Sequence, residues 1–259
     1  MGSEMCIRDR LELYLDAYEA FARSLLNRDI GAVDHTREAW AREDNDLPLD
    51  RGRVAGRMRD LQAQFNLNWL TNSEDVETRE AFDRLLARLG VAPRVGEIII
   101  AALGPGGADP ATRGGRGVAE DLPGGAALML DQLPIPEKAL IRLRPYVTVL
   151  SGDSQLNVNT TSALVLSSFL PGVNSAALAA LLNTREAEPF TSLEDFINRL
   201  GEVVGAEQVS ELTETAIVDR LSVGSEWFEA EISATLEDRV ASRRIVLRRL
   251  ALPAGAKVV

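Results

Sequence analysis

Cysteine and histidine occur once each in this 259-residue chain, and no unbroken apolar run is longer than seven residues, Ala176 to Leu182. A single thiol, Cys6, excludes an intrachain disulfide framework and any cysteine-based zinc site. A transmembrane helix needs roughly 20 apolar residues, so none fits within the residues given. No secretory signal pattern is present. The sequence also lacks G-x-S-x-G, a P-loop, H-E-x-x-H and any cysteine pair. Any serine triad would have to use His35, which sits in the charged stretch Asp34-His35-Thr36-Arg37-Glu38 and is expected to be a solvated or helix-capping histidine. No catalytic and no cofactor-binding residue is therefore assigned, and the chain is not expected to be an enzyme.

What is present is an ordinary globular composition, 46% hydrophobic and 26% charged, with net charge −11 and pI about 4.8. That balance disfavours nucleic acid, because phosphate neutralisation needs clustered Lys and Arg. Met1–Arg10 reads MGSEMCIRDR and has no apolar periodicity. It resembles adapter read-through or a tag remnant and is expected to be a non-native leader outside the fold.

From Leu11 the pattern is helical. Leu11, Leu15, Tyr18, Phe21 or Ala22, Leu25 and Leu26 form one apolar stripe. A shorter helix is expected around His35 and Trp40. Leu61, Ala63, Phe65 and Leu67 then alternate with Gln62, Gln64, Asn66 and Asn68, the period of a half-buried strand; Val54 and Met58 are in the opposite phase, which implies a bulge or turn near Arg59-Asp60. Ser73 reads as an N-cap for a helix with Phe82, Leu85, Leu86 and Leu89 inward and Gly90 at its end. A second helix is expected over Val95–Leu103.

Gly104–Gly125 holds eight of the 20 glycines and three prolines and reads as a surface linker or an ion- or phosphate-binding loop. Helices follow: one from Thr160 or Thr161 to Pro171-Gly172, one from Asn174 or Ser175, and one opened by a Thr191-x-x-Glu194 capping box and closed by Gly201. Near the C-terminus, Phe228, Ala230, Ile232, Ala234 and Leu236 alternate with polar residues, Glu237-Asp238-Arg239 makes a turn, and Ile245 and Leu247 continue the pattern. This predicts an antiparallel hairpin with one wet face. The expected fold is α+β: an N-terminal helix packed on an antiparallel sheet, with a large helical domain inserted between its strands.

One stretch resembles a helix-hairpin-helix module: Leu156-Asn157-Val158-Asn159-Thr160-Thr161, then Leu170-Pro171-Gly172-Val173-Asn174. In such modules the hairpin backbone meets a phosphate at a helix N-terminus. Between Ser151 and Leu212, however, eight acids face only Arg185 and Arg199. Counterion release cannot drive DNA binding there, and Pro171-Gly172 reads as a structural turn. A nucleic-acid binder is the alternative function.

The order of motifs suggests a family. Asp34-His35-x-x-Glu38-x-Trp40-Ala41, then Gly52-x-Val54-x-Gly56-x-Met58-x-Asp60-Leu61-Gln62, then Phe65-Asn66-Leu67-Asn68, Asn157-Val158-Asn159-Thr160 and Ser225-x-x-Phe228 resemble general secretion pathway protein K. That family contains the large minor pseudopilin of bacterial type II secretion systems. The resemblance covers roughly residues 11–250. It implies a pseudopilin helix and sheet interrupted by two SAM-like helical units, with boundaries at 11–70, 71–212 and 213–259 and the glycine-rich loop 104–125 between the helical units. It implies a non-enzymatic role at the pseudopilus tip, priming assembly and capping the fibre. The implied partners are other minor pseudopilins, the major pseudopilin and secreted substrates, with no nucleic acid. Leu11, Leu15, Tyr18, Ala22 and Leu25 would lie at the helix–helix interface. The implied location is periplasmic, with an inner-membrane anchor supplied by a native N-terminal helix half that the sequence given lacks. Calcium is the one cofactor implied, with Asp109, Glu120 and Asp121 as its candidate ligands. Calcium takes six to eight oxygens, so a surface linker is the competing reading for those three acids.

Overall fold

The computed structural model describes residues 2–42, 45–49, 51–103, 130–215, 217–250 and 255–258. The chain divides into two compact units: residues 1–61 with 225–259, and residues 62–224.

The first unit is one helix on one sheet. Helix α1 runs Gly2–Arg28, so it passes through the segment expected to lie outside the fold. Its Leu11, Leu15, Tyr18, Ala22 and Leu26 recur at three- and four-residue steps and are all buried. Strand β1 is Leu47–Leu49 and β2 is Gly52–Asp60. After the second unit come β7, Trp227–Leu236, β8, Arg239–Leu250, and β9, Gly255–Val258. The sheet order is β1-β2-β7-β8-β9, with every pair antiparallel. Register explains the faces. Val54, Gly56 and Met58 of β2 lie beside Ala234, Ile232 and Ala230 of β7, and this row of small and apolar residues faces α1. Each large apolar side chain buried this way stabilises the unit by about 1.5–3 kcal/mol. Glu237, at φ 56, makes the β7–β8 turn.

The register of β2 on β7 is continuous from Gly52 to Asp60, so of the expected bulge or turn near Arg59-Asp60 it is a turn that forms, the 3-10 turn Leu61–Ala63. The expected helix around His35 reduces to a single 3-10 turn, Ala39–Ala41. Trp40 is buried there, edge-on to Phe228 at 5.0 Å, and donates its indole N–H to Glu38.

The second unit is helical: α2 Val76–Arg88, α3 Pro93–Leu103, α4 Glu137–Leu143, α5 Ala163–Phe169, α6 Ser175–Ala187, α7 Leu193–Val204 and α8 Ala206–Thr213. Two short parallel bridges accompany them, β3 Phe65–Asn66 with β4 Val147–Thr148, and β5 Leu156–Asn157 with β6 Leu221–Ser222. Phe65 sits at the centre of the core, 5.2 Å from Phe82, 5.3 Å from Trp69 and 5.4 Å from Phe169. The helix starts are set by side-chain caps. Asp75, rather than Ser73, accepts from Thr78 N–H, and Ser162, rather than Thr160 or Thr161, caps α5. Asn174 caps α6 as expected. The box at α7 lies one residue later than read: Ser192 accepts from Asp195 N–H, and the Asp195 carboxylate accepts from Thr191 N–H. That backbone hydrogen bond is the main reason the Asp195 carboxyl lies below the usual range. Gly90, at φ +62, takes the left-handed position after α2.

The alternating run Leu61–Asn68 is not a strand. It folds as a 3-10 turn, a two-residue bridge and a second 3-10 helix. Among the described residues, no helix is long and apolar enough to cross a membrane.

Candidate functional site

Three features hold the side chains that the sequence singles out. The first is helix α1. Leu11, Leu15, Tyr18 and Ala22 are buried in the unit's own core, and Leu25 is half-buried against it. These five are committed to docking the helix on its sheet, which corrects their expected place on a partner surface. The outward side of α1 carries Leu13, 62% exposed, with Ala17 and Ala20, also exposed. Glu12, Asp16 and Glu19 fall on one flank, where Arg243 of β8 bonds all three. The helix therefore offers a narrow small-and-apolar strip beside an acidic flank that Arg243 partly offsets.

The second feature is a buried polar clasp at the end of the sheet where the chain leaves for the second unit and returns from it. Asp34 is fully buried and accepts from Ser225 N–H at 2.7 Å and from Arg249. Arg249 also donates to Asp29 at 2.9 Å and to Ser225 C=O at 2.7 Å, and its guanidinium lies over the Phe228 ring. Ser225 Oγ donates to Asp60 at 2.6 Å. One cluster thus ties the end of α1, the following loop, the end of β2, the start of β7 and the end of β8. Burial pushes the Asp34 carboxyl up to about 7 despite its arginine partner.

Asp29, Asp34 and Glu38 bring ligand atoms within 4.8 Å of one another, the geometry of a cation cluster. The Arg249 guanidinium already serves as the cation for two of them. Glu38 accepts from His35 N–H and from the Trp40 indole. The cluster is a structural knot rather than a metal centre. Asp109, Glu120 and Asp121, the candidate calcium ligands, lie outside the described residues. His35 sits in a turn, where its Nδ1 accepts from Arg37 N–H.

The third feature is an asparagine clamp in the helical unit. Asn66 is buried; its amide donates to Leu150 C=O, Ser151 C=O and Ser154 Oγ, and its carbonyl accepts from Leu150 N–H and Asn68 N–H. Asn159 exchanges two 2.9 Å hydrogen bonds with the Phe190 backbone. Asn157 accepts from Asn159 N–H. The two asparagine motifs are thus backbone braces for loops far apart in sequence. Asn66→Ala would strand the Leu150 backbone in the interior. A loss of about 2–4 kcal/mol in urea unfolding is expected, with Asn66→Asp at least as damaging because a carboxylate cannot donate to those carbonyls.

The hairpin motif is closed in the same way. Gly172, at φ +82, has Gln208 Nε2 at 2.6 Å from the place a Cβ would take. The N-terminus of α6 is capped by Asn174, which accepts from Ala177 N–H. Arg185, the basic residue of the motif, is spent on the carbonyls of Val158 and Thr161. Nothing in this hairpin is set up to meet a phosphate. The helical unit carries 12 basic against 21 acidic residues, net −9, so it also repels a polyanion.

A long amphipathic helix lies on an antiparallel sheet, with a helical unit inserted in sequence between two neighbouring strands, an α+β arrangement. Residues 156–218 match the family model for type II secretion system protein K. The chain is 29% identical to type II secretion system protein K of Pseudomonas aeruginosa over 245 residues, which cover 79% of this chain and 72% of that one. It is 29% identical to the Klebsiella pneumoniae protein over 266 residues, 89% of this chain and 77% of that one. Its fold matches a chain in the GspK-GspI-GspJ complex of enterotoxigenic Escherichia coli, with TM-score 0.75 at 20% identity, over 100% of this chain and 97% of that one. By these matches the chain is similar to type II secretion system protein K over most of its length.

Proposed function

We propose that this chain is a minor pseudopilin that sits at the tip of the pseudopilus, primes its assembly and caps it, with no catalytic step of its own. The observation that carries the reading is the interruption of the sheet. The chain leaves it after β2 and re-enters at β7, with the whole of Gln62–Gly224 in between. Neighbouring strands joined through such a bulk suit a terminal subunit better than a repeating one. The relative solved in complex with GspI and GspJ supports other minor pseudopilins as partners, with the major pseudopilin beneath them. The likeness to protein K supports a periplasmic placement beside the inner membrane and contact with secreted proteins. Calcium bound through Asp109, Glu120 and Asp121 belongs to the same reading; isothermal titration with calcium, before and after D109N/E120Q/D121N, tests it.

The contact surface on this chain is the outward strip of α1, Leu13, Ala17 and Ala20, rather than the buried stripe. Leu13→Arg puts a charge in that strip without touching the core. Tandem-affinity purification from cells that also express the neighbouring minor pseudopilins should recover them with the unaltered chain. The arginine variant should lose most of that recovery and keep an unchanged unfolding midpoint. Equal recovery by both would remove α1 from the interface.

A further inference from the structure

The face of the sheet turned away from α1 carries a transverse trench. Its floor is one row of small residues, Ala55 of β2, Ser233 of β7 and Ser242 of β8, which are direct register neighbours. One wall is the adjacent row Arg57, Glu231 and Arg244. On the other side of the floor, beyond the groove's lining, the next row on this face is Arg53, Thr235 and Val240. The open groove has a volume of about 700 Å³, with Asp46 at its β1 end. Residues 53 and 57 are four steps apart on one strand, so the two arginine-bearing rows stand ~13 Å apart. A single peptide segment with its side chains fits that width.

The charges are layered. The side chains of Arg53, Arg57 and Arg244 are 66%, 69% and 60% exposed, whereas Glu231 is 26% exposed beneath them. Glu231 accepts from both Arg57 and Arg244 and holds their guanidiniums over the floor. An arriving group meets the cations first. The Arg53–Asp46 pair is loose, at 3.8 Å, and open to solvent, so Arg53 exchanges this partner readily. Forked guanidiniums suit carboxylates, and Val240, 65% exposed, adds an apolar rim. The net charge of −11 repels an extended polyanion at long range, while a few carboxylates within a Debye length feel the local arginines.

We propose that this trench binds an acidic segment of a partner protein, its carboxylates on Arg53, Arg57 and Arg244 and its small side chains on the Ala55–Ser233–Ser242 floor. The site is separate from the α1 strip, so it stands or falls independently of the pseudopilus assembly.

The probe is a fluorescein-labelled peptide of six Glu-Ala repeats, titrated with the full chain at low salt and followed by anisotropy. Saturable binding below about 1 mM is expected, weakened on the order of tenfold by R57A/R244A and unaffected by Arg94→Ala in the helical unit. Ser242→Trp keeps every arginine but fills the floor, and it should also abolish binding. Circular dichroism checks that each variant is folded. No saturation by the unaltered chain would overturn the site. So would full binding by S242W, which would reduce the interaction to loose arginine contacts. Equal affinity for a single-stranded oligonucleotide of the same charge would make the face a general anion binder and contradict an acidic protein partner.

Discussion

Gly56→Ala is expected to destabilise the sheet-and-helix unit by about 3 kcal/mol, a large effect for one methyl group. A Cβ on Gly56 would stand 2.5 Å from Cζ and 2.6 Å from Cε1 of Tyr18. Tyr18 cannot retreat. It is fully buried and packs edge-on against Phe21 at 5.6 Å. The close approach of β2 to α1 is therefore possible only without a side chain at residue 56. The Tyr18 hydroxyl is buried without a hydrogen-bond partner among the described residues, and burial pushes its pKa up to about 12. What position 18 needs is the ring and not the hydroxyl, so Tyr18→Phe should be neutral or slightly stabilising. Tyr18→Leu combined with Gly56→Ala should cost less than the two changes added together, because the clash and its cause disappear at once. Hydrogen exchange of the α1 amides reads this unit separately from the helical one. Unchanged protection in G56A would mean that α1 is not held by this contact.

The second large effect concerns the clasp. Arg249→Met should cost about 3–5 kcal/mol at pH 8, where Asp34 must either stay ionised in the interior without its counter-ion or take up a proton. The pH dependence follows from the raised Asp34 pKa. The unfolded chain releases this proton near pH 3.8, whereas the native state holds it to about 7. Between those values the native state binds more protons, so the Asp34 contribution to stability falls as pH rises from about 4 to about 7, then levels off. Urea unfolding across pH 4.5–8 should show that slope in the unaltered chain. Asp34→Asn should flatten it, and Arg249→Met should carry it to higher pH. A slope that survives D34N would assign it to another group.

Much of this architecture is written in local pattern. The alternation from Phe228 to Leu236 reads directly as a strand, because one face meets α1 and the other meets water. Gly90 and Asn174 end and start helices where side-chain chemistry requires it. The bracketing of a helical insert by strands, and the α+β class with it, follows from those periods.

Two of the misreadings come from taking a burial pattern for more than it reports. In Leu61–Asn68 the polar residues are not on a wet face: Gln62, Gln64 and Asn66 are as buried as Leu61 and Phe65. Each is satisfied by a distant carbonyl, Gln62 by Gln155, Gln64 by Pro145 and Asn66 by Leu150 and Ser151. A period of two reports a strand only when alternation means dry and wet, and tertiary hydrogen bonds imitate it here. The apolar stripe of α1 likewise reports burial without saying against what. The clasp was hidden for a different reason. Asp34, Asp60, Ser225 and Arg249 are scattered along the chain and unremarkable singly, and only the return of the chain to the sheet brings them together. The trench is a product of register, which no single strand encodes.

The most direct measurement of the central claim is the mass of the assembly. This chain, mixed with the extracytoplasmic domains of the neighbouring minor pseudopilins from the same genome, should elute as one species by size-exclusion chromatography with light scattering. Its mass should equal one copy of each, and Leu13→Arg should split it into its parts. Separate elution of the unaltered chain at every concentration tested would contradict a minor pseudopilin acting in a tip complex.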